Sequence, residues 1–381
     1  MTDVDLDAER LVALLARRPL VSEASIEADW ERLLALAMQH DVAAVLRARL
    51  KERGLIPPPA IAEALRQVYF ASAARNMRLF HELGGILRAL QAAGIPVIPL
   101  KGACLAEAVY GDIALRPMSD LDLWVQRQQL DAARAVMQSL GYVSRSKADR
   151  PLALQDALAG ETQMFKANAP LVEIHWNIFP GEWVRHTTRI DEDVVWHRTV
   201  PLEGEGVRQL SPEDAVIQSC VHLAVSHQMS GIGLRTLLDL DLARQQWVID
   251  WRAVGQRARA WRVSCATWLV LQALAGVFGD PGNQLPLGGL SPSPFRRFVL
   301  KRFASTRLLM EGLDLSSGPR RFLFLLSIVD RPADAVVLLW RALFPDRLWL
   351  TLRYDLPGAT SWRVWRLRLR HIAHLVISRE I

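Results

Sequence analysis

The stretch from Asp120 to Val125, "DLDLWV", constrains this chain more than any other segment. Acids and apolar residues alternate in it. As a strand it sets Asp120, Asp122 and Trp124 on one face and Leu121, Leu123 and Val125 on the other. The aliphatic face has to enter a core, and the acid face carries a tryptophan ill suited to open solvent. Alternate strand residues stand roughly 6.5–7 Å apart. Two carboxylates aimed the same way at that spacing repel, and each raises the other's pKa. A hard divalent cation resolves the conflict, because it takes carboxylate oxygens together with substrate phosphates.

The neighbouring segments extend this strand into a sheet. "IPVIPL" (residues 95–100) is short, β-branched and apolar, which predicts a buried strand. "KGACLAEAVYGD" predicts a helix with Gly102 in its first turn, where a glycine lets backbone amides approach a phosphate and Lys101 adds a mobile positive charge. "QLDAARAVMQSLG" reads as a second helix closing on Gly141. "LVEIHW" then alternates again, with Glu173 and His175 on one face and Val172, Ile174 and Trp176 on the other. Glu173 is therefore a candidate third carboxylate, able to ligate a metal or to activate a hydroxyl. The expected fold class is α+β: a small mixed sheet with helices, flanked by helical regions on both sides.

Outside this core the patterns are helical. Residues 1–94 form an N-terminal helical region broken at "LIPPP", residues 95–210 the α/β core, and residues 211–381 a C-terminal helical domain. A hairpin is expected around Gly204 and Gly206, and Ser211 is placed to cap the following helix ahead of Pro212. His222 and His227 are five apart, a spacing that does not put both on one α-helical face; Arg235 and Asp239, four apart, suit a helical ion pair. The tail carries Arg363, Arg366, Arg368 and Arg370 among tryptophans and leucines. Trp362, Trp365, Leu369, Ile372 and Val376 form a stripe that predicts a docked helix with a basic solvent face, ahead of a lipid or nucleic-acid contact. The apolar run at residues 322–344 is split by Asp330, Arg331, Pro332 and Asp334, so it reads as two buried helices rather than a membrane span. Cys104, Cys220 and Cys265 are few and scattered, which argues against disulfides and a zinc site. The net charge of +6 admits anionic partners without selecting one. The expected location is the cytoplasm.

Taken together, "IPLKGACLAEAVY", "RPMSDLDLWV" and "VEIHW" resemble, in this order, the uncharacterised bacterial nucleotidyltransferases of the polymerase-β-like superfamily. "LSPEDAVIQSCVHLAVSH" and "LRTLLDLDLA" resemble that family's helical C-terminal part. The resemblance implies a Mg²⁺-dependent enzyme, with two ions, that moves an NMP group from an NTP, ATP first, to an acceptor hydroxyl in a bacterial biosynthetic or modification pathway. It implies metal ligands at Asp120, Asp122 and Glu173, and a triphosphate site at Lys101, Gly102, Arg116 and Ser119. Candidate acceptor-pocket residues are His175, His222, Arg235 and Asp239, for a small-molecule, peptide or saccharide acceptor. Transfer of the γ-phosphate, or a non-catalytic nucleotide-binding scaffold, are the competing expectations.

Overall fold

The computed structural model describes residues 3–18, 29–145, 151–202, 207–303, 309–310, 318–356 and 358–377 of the 381-residue chain. Four helices come first: α1 (Asp3–Leu15), α2 (Trp30–Gln39), α3 (Ala43–Glu52) and the 34-residue α4 (Pro59–Ala92). α4 starts at a proline, which fits the first turn, and ends at Gly94, whose φ of +68° lets Ile95 N–H donate back to Leu90 O at 2.9 Å. That reversal feeds the chain into the sheet.

Five strands follow: β1 (Ile98–Pro99), β2 (Asp120–Trp124), β3 (Val143–Arg145), β4 (Glu161–Phe165) and β5 (Leu171–His175), in the order β1-β2-β5-β4-β3. Only β2 and β5 run parallel, with Asp122 opposite Glu173 and Trp124 opposite His175. β3 and β4 are additions to the expected three strands, arriving as an antiparallel meander into β5. Their brevity and β3's exposure weaken the apolar signal that marks a strand. Between strands lie α5 (Gly102–Ala108), α6 (Leu130–Ser139) and α7 (Leu152–Leu158).

The period-two pattern of β2 works as expected. Leu121, Leu123 and Val125 are fully buried, and with Val172 and Ile174 of β5 they pack under Leu83 and Ile86 of α4 and Met137 of α6. Each such side chain contributes about 1.5–3 kcal/mol of burial. Trp124, on the acid face, is also buried, edge-to-face on Trp196 at 4.7 Å. It belongs to a second and larger core that joins α1–α3 to the C-terminal helices. The acid face is thus roofed by helices.

After β5 come α8 (Glu182–Thr187), α9 (Glu192–His197) and the antiparallel pair β6 (Val200–Pro201) and β7 (Arg208–Gln209). The expected hairpin is this pair; its tip, with Gly204 and Gly206, lies outside the described residues. Ser211 caps α10 (Pro212–Val221) as expected, accepting from Asp214 N. The segment His222–Ser226 then widens into a π-helical turn before α11 (Gly233–Gln246), α12 (Trp251–Ala260) and α13 (Ser264–Phe278). The run at residues 322–344 is indeed two helices, Gly318–Ser327 and Pro332–Leu343, but not two buried ones. Val336 and Trp340 are 66% and 57% exposed while Leu338 is buried, so the second helix has only one covered side. Among the described residues, no helix is long and apolar enough to cross a membrane.

Candidate active site

A cavity of about 450 Å³ opens where the roof meets the acid face of β2 and β5. Strand pairing brings the sequence-predicted acids to its floor. Asp122, Glu173 and His175, all buried, offer ligand atoms within 4.8 Å of one another, and Asp120 lies on the same face. Lys101 Nζ donates to Asp122 Oδ1 at 2.7 Å, and His175 Nε2 lies 2.8 Å from the same oxygen. Lys101 is therefore not the mobile charge expected; it is clamped over the floor. Burial alone would raise the Asp122 carboxyl, but Lys101 and His175 outweigh it and hold it well below the usual carboxylate range. Asp120 goes the other way: burial, then repulsion from Asp122, pushes it up.

The residues fit a divalent cation. Asp120, Asp122 and Glu173 supply hard oxygen donors. His175, with Nε2 on Asp122, is placed to orient that carboxylate rather than to replace it. Its other nitrogen, Nδ1, lies 3.5 Å from Glu161 Oε2, and Gln163 Nε2 donates to Glu173 Oε1 at 2.8 Å. Glu161 and Gln163 both come from β4, so missing that strand in the sequence meant missing the residues that brace the acids. The signal was "ETQMF" after Gly160, an alternation ending on apolar residues.

Gly102 is required for space rather than for its own backbone angles. The left-handed residue at this turn is Lys101, with φ +50° and ψ −120°, a conformation costly for a side-chain-bearing residue and concentrated at functional sites. A Cβ on Gly102 would stand 2.6 Å from Arg116 Nη1 and 2.8 Å from Met118 Sδ. Neither neighbour can retreat easily. Met118 is buried, and the Arg116 guanidinium is held by Asp239 through two bonds of 2.9 Å. Gly102→Ala is expected to cost about 1–3 kcal/mol of stability by overpacking and to weaken nucleotide binding at least tenfold, read by denaturation and titration calorimetry. An unchanged nucleotide affinity would separate this turn from the phosphates.

The expected Arg235–Asp239 helical pair does not form. Asp239 is taken by Arg116 and by Tyr110 OH at 2.6 Å, while Arg235 Nη1 donates to Asp41 Oδ2 at 2.7 Å and to Pro117 O at 3.3 Å. Contacts from α11 to the segment before β2 and to the N-terminal helices win over a contact within one helix turn, which is worth only a few tenths of a kcal/mol. Ser119 Oγ donates to Asp120 Oδ1 at 3.2 Å.

The histidines differ from expectation for a geometric reason. In the π-helical turn His227 N–H donates to His222 O, five residues back, at 3.2 Å. This wider turn brings positions i and i+5 together, and the two rings stack edge-to-face at 4.6 Å in the cavity wall. Burial, then Lys101, push His222 well below its ordinary value and His227 down to about 4, so both are neutral at pH 7. Gln228 and Met229, with φ of +47° and +63°, follow directly, so the wall leads into a left-handed turn.

The fold is α+β, and its family makes the protein a transferase. The chain belongs to the family of uncharacterised nucleotidyltransferases, which matches residues 27–279. That span takes in every strand and all the cavity residues named here. The solution structure of the antibiotic-resistance factor ANT(2'')-Ia is similar at 14% sequence identity, over 49% of this chain and 94% of that one, with a TM-score of 0.31. No curated protein matches.

Proposed function

We propose that this enzyme transfers an NMP group from an NTP, ATP first, to an acceptor hydroxyl, with Mg²⁺ held by Asp120, Asp122 and Glu173. The observation that carries the reading is the convergence of Asp122, Glu173 and His175 within 4.8 Å beneath a cavity, in a chain of nucleotidyltransferase family. What the cation supplies at these carboxylates is charge neutralisation of the triphosphate and a lower pKa for the acceptor hydroxyl. Lys101 and His175 keep Asp122 ionised and oriented. Arg116 Nη1, packed against the side-chain-free Gly102 turn, holds the triphosphate, and Ser119 fixes the Asp120 rotamer. Glu173, aligned by Gln163, takes the acceptor proton.

The acceptor enters from the opposite wall. There Gln218, Ser219, His222, Ser226, His227 and Thr236 line the cavity. With both histidines neutral, the charges on this wall are the ion-paired Arg235, Asp239 and Asp41, and the remaining groups are uncharged hydrogen-bonding ones, which suits a hydroxyl-bearing acceptor. The functional units divide near residues 94 and 210 in this proposal, the roof over the α/β core supplying acceptor recognition.

α- and γ-labelled ATP incubated with the enzyme, Mg²⁺ and a cell extract test the reading. Pyrophosphate release with α-label entering an acceptor is the expected result. ADP release with γ-label transferred would overturn it in favour of a phosphotransferase, and no label transferred alongside tight Mg-ATP binding would leave a nucleotide-binding scaffold.

A further inference from the structure

The last described helix, Ser361–Ile377, is docked by the stripe opposite to the expected one. Val364 and Leu367 are buried with Leu350 and Ala359 in a small separate core. His371, one turn on, is buried too, its Nε2 3.0 Å from Ala342 O and its ring edge-to-face on Trp349 at 5.1 Å. These contacts fix the helix's rotation and turn Trp362, Trp365 and Leu369 outward, 72%, 55% and 56% exposed. At 100° per residue the outward stripe lies on the far side from the docked one. Arg363, Arg366 and Arg370 flank it on one edge and are exposed, Arg370 lying over the Tyr354 ring at 5.0 Å.

We infer that this face seats the protein on an anionic lipid bilayer. Three observations choose that occupant. First, of the three exposed tryptophans among the described residues, Trp362 and Trp365 lie on this face and Trp340 on the nearby helix Pro332–Leu343. Tryptophan is favoured where one side is apolar and the other wet, as at a membrane interface. Second, the helix contains no acidic residue between Ser361 and Ile377, and its arginines border the apolar stripe as phosphate headgroups would require. Third, a second copy fits poorly. Self-pairing of this face sets Arg363 and Arg366 against the same arginines. Of the two acids just before the helix, Asp346 is engaged by Arg185 at 3.1 Å and Asp355 lies in the turn outside the helix. The helix lies in the plane of the interface rather than across it, in keeping with the four arginines spaced along it.

The full chain is sedimented with vesicles of phosphatidylcholine alone and of phosphatidylcholine mixed with phosphatidylglycerol. Binding to the mixed vesicles only, weakened by salt, is the expected result. Arg363→Gln with Arg366→Gln is expected to lower partitioning on the order of twentyfold, taking about fivefold per basic side chain at an anionic surface. Trp362→Ala with Trp365→Ala is expected to abolish it, and both pairs leave the docked stripe untouched. The inference is overturned if the wild type ignores anionic vesicles, binds neutral ones equally, forms a dimer that buries this helix, or binds RNA in preference to the vesicles. None of these readouts depends on the transferase reaction.

Discussion

Asp120→Asn and Asp122→Asn are expected to abolish activity alike and to affect stability in opposite directions. Each removes an anionic donor from the floor, so nucleotidyl transfer should fall by on the order of 10²–10³-fold or more. Asp122, however, is the partner of Lys101 and His175, all three packed beneath the roof. Leaving those groups without their counter-charge should cost about 3–5 kcal/mol. Among the described residues Asp120 is hydrogen-bonded only to Ser119, and burial with repulsion from Asp122 and Glu173 outweighs the attraction of Lys101. Its neutralisation relieves repulsion, so metal-free Asp120→Asn should be as stable as the wild type or more so.

The pH dependence carries the same signature. The folded protein holds Asp122 below its unfolded value, so that contribution is complete above the ordinary carboxylate range, about pH 4, and fades as pH falls through and below it. Asp122→Asn should flatten this acid limb. Asp120 is raised on folding, so its ionisation removes stability as pH rises through its folded value, and Asp120→Asn should lift that penalty. Denaturant titrations at several pH values, with and without Mg²⁺, read all of these. Mg²⁺ should stabilise the wild type and help either variant less. Equal destabilisation by both substitutions would refute the division of labour between the two acids.

Much of this site was legible because strand periodicity is a strong and local signal. Alternation alone put Asp120 with Asp122 and Glu173 with His175, and their convergence needed only that β2 and β5 be neighbours. What escaped was set by tertiary contacts. Arg116 and Asp239 are 123 residues apart, and no spacing rule joins them. His222 and His227 meet through a π-turn, which adds one residue to a helix without leaving a turn signal such as proline or glycine within "HLAVS". The docked stripe of the C-terminal helix is not the one that tryptophan's larger apolar surface favours. Val364 and Leu367 are smaller but sit where the short helix Arg347–Arg353 can receive them.

The second large effect is expected at the Arg116–Asp239 pair. Arg116 rises from the segment before β2, Asp239 descends from α11, and Tyr110 OH closes the group at 2.6 Å. Both charges are buried, at 7% and 3% exposure, so Asp239→Ala strands a guanidinium in the interior and should cost about 3–5 kcal/mol. Activity should fall as well, because Asp239 is what points Arg116 Nη1 toward Gly102. Stability loss alone does not distinguish anchoring from catalysis, and the paired variant does. Arg116→Met with Asp239→Leu removes both charges and refills the space, which for buried pairs is often neutral or stabilising. The double variant is therefore expected to recover most of the folding free energy while remaining defective in transfer, with its KM for Mg-ATP raised at least tenfold. Recovery of both stability and activity would show that the pair only joins the roof to the sheet. Recovery of stability alone would place Arg116 at the triphosphate, with Asp239 the residue that holds it there.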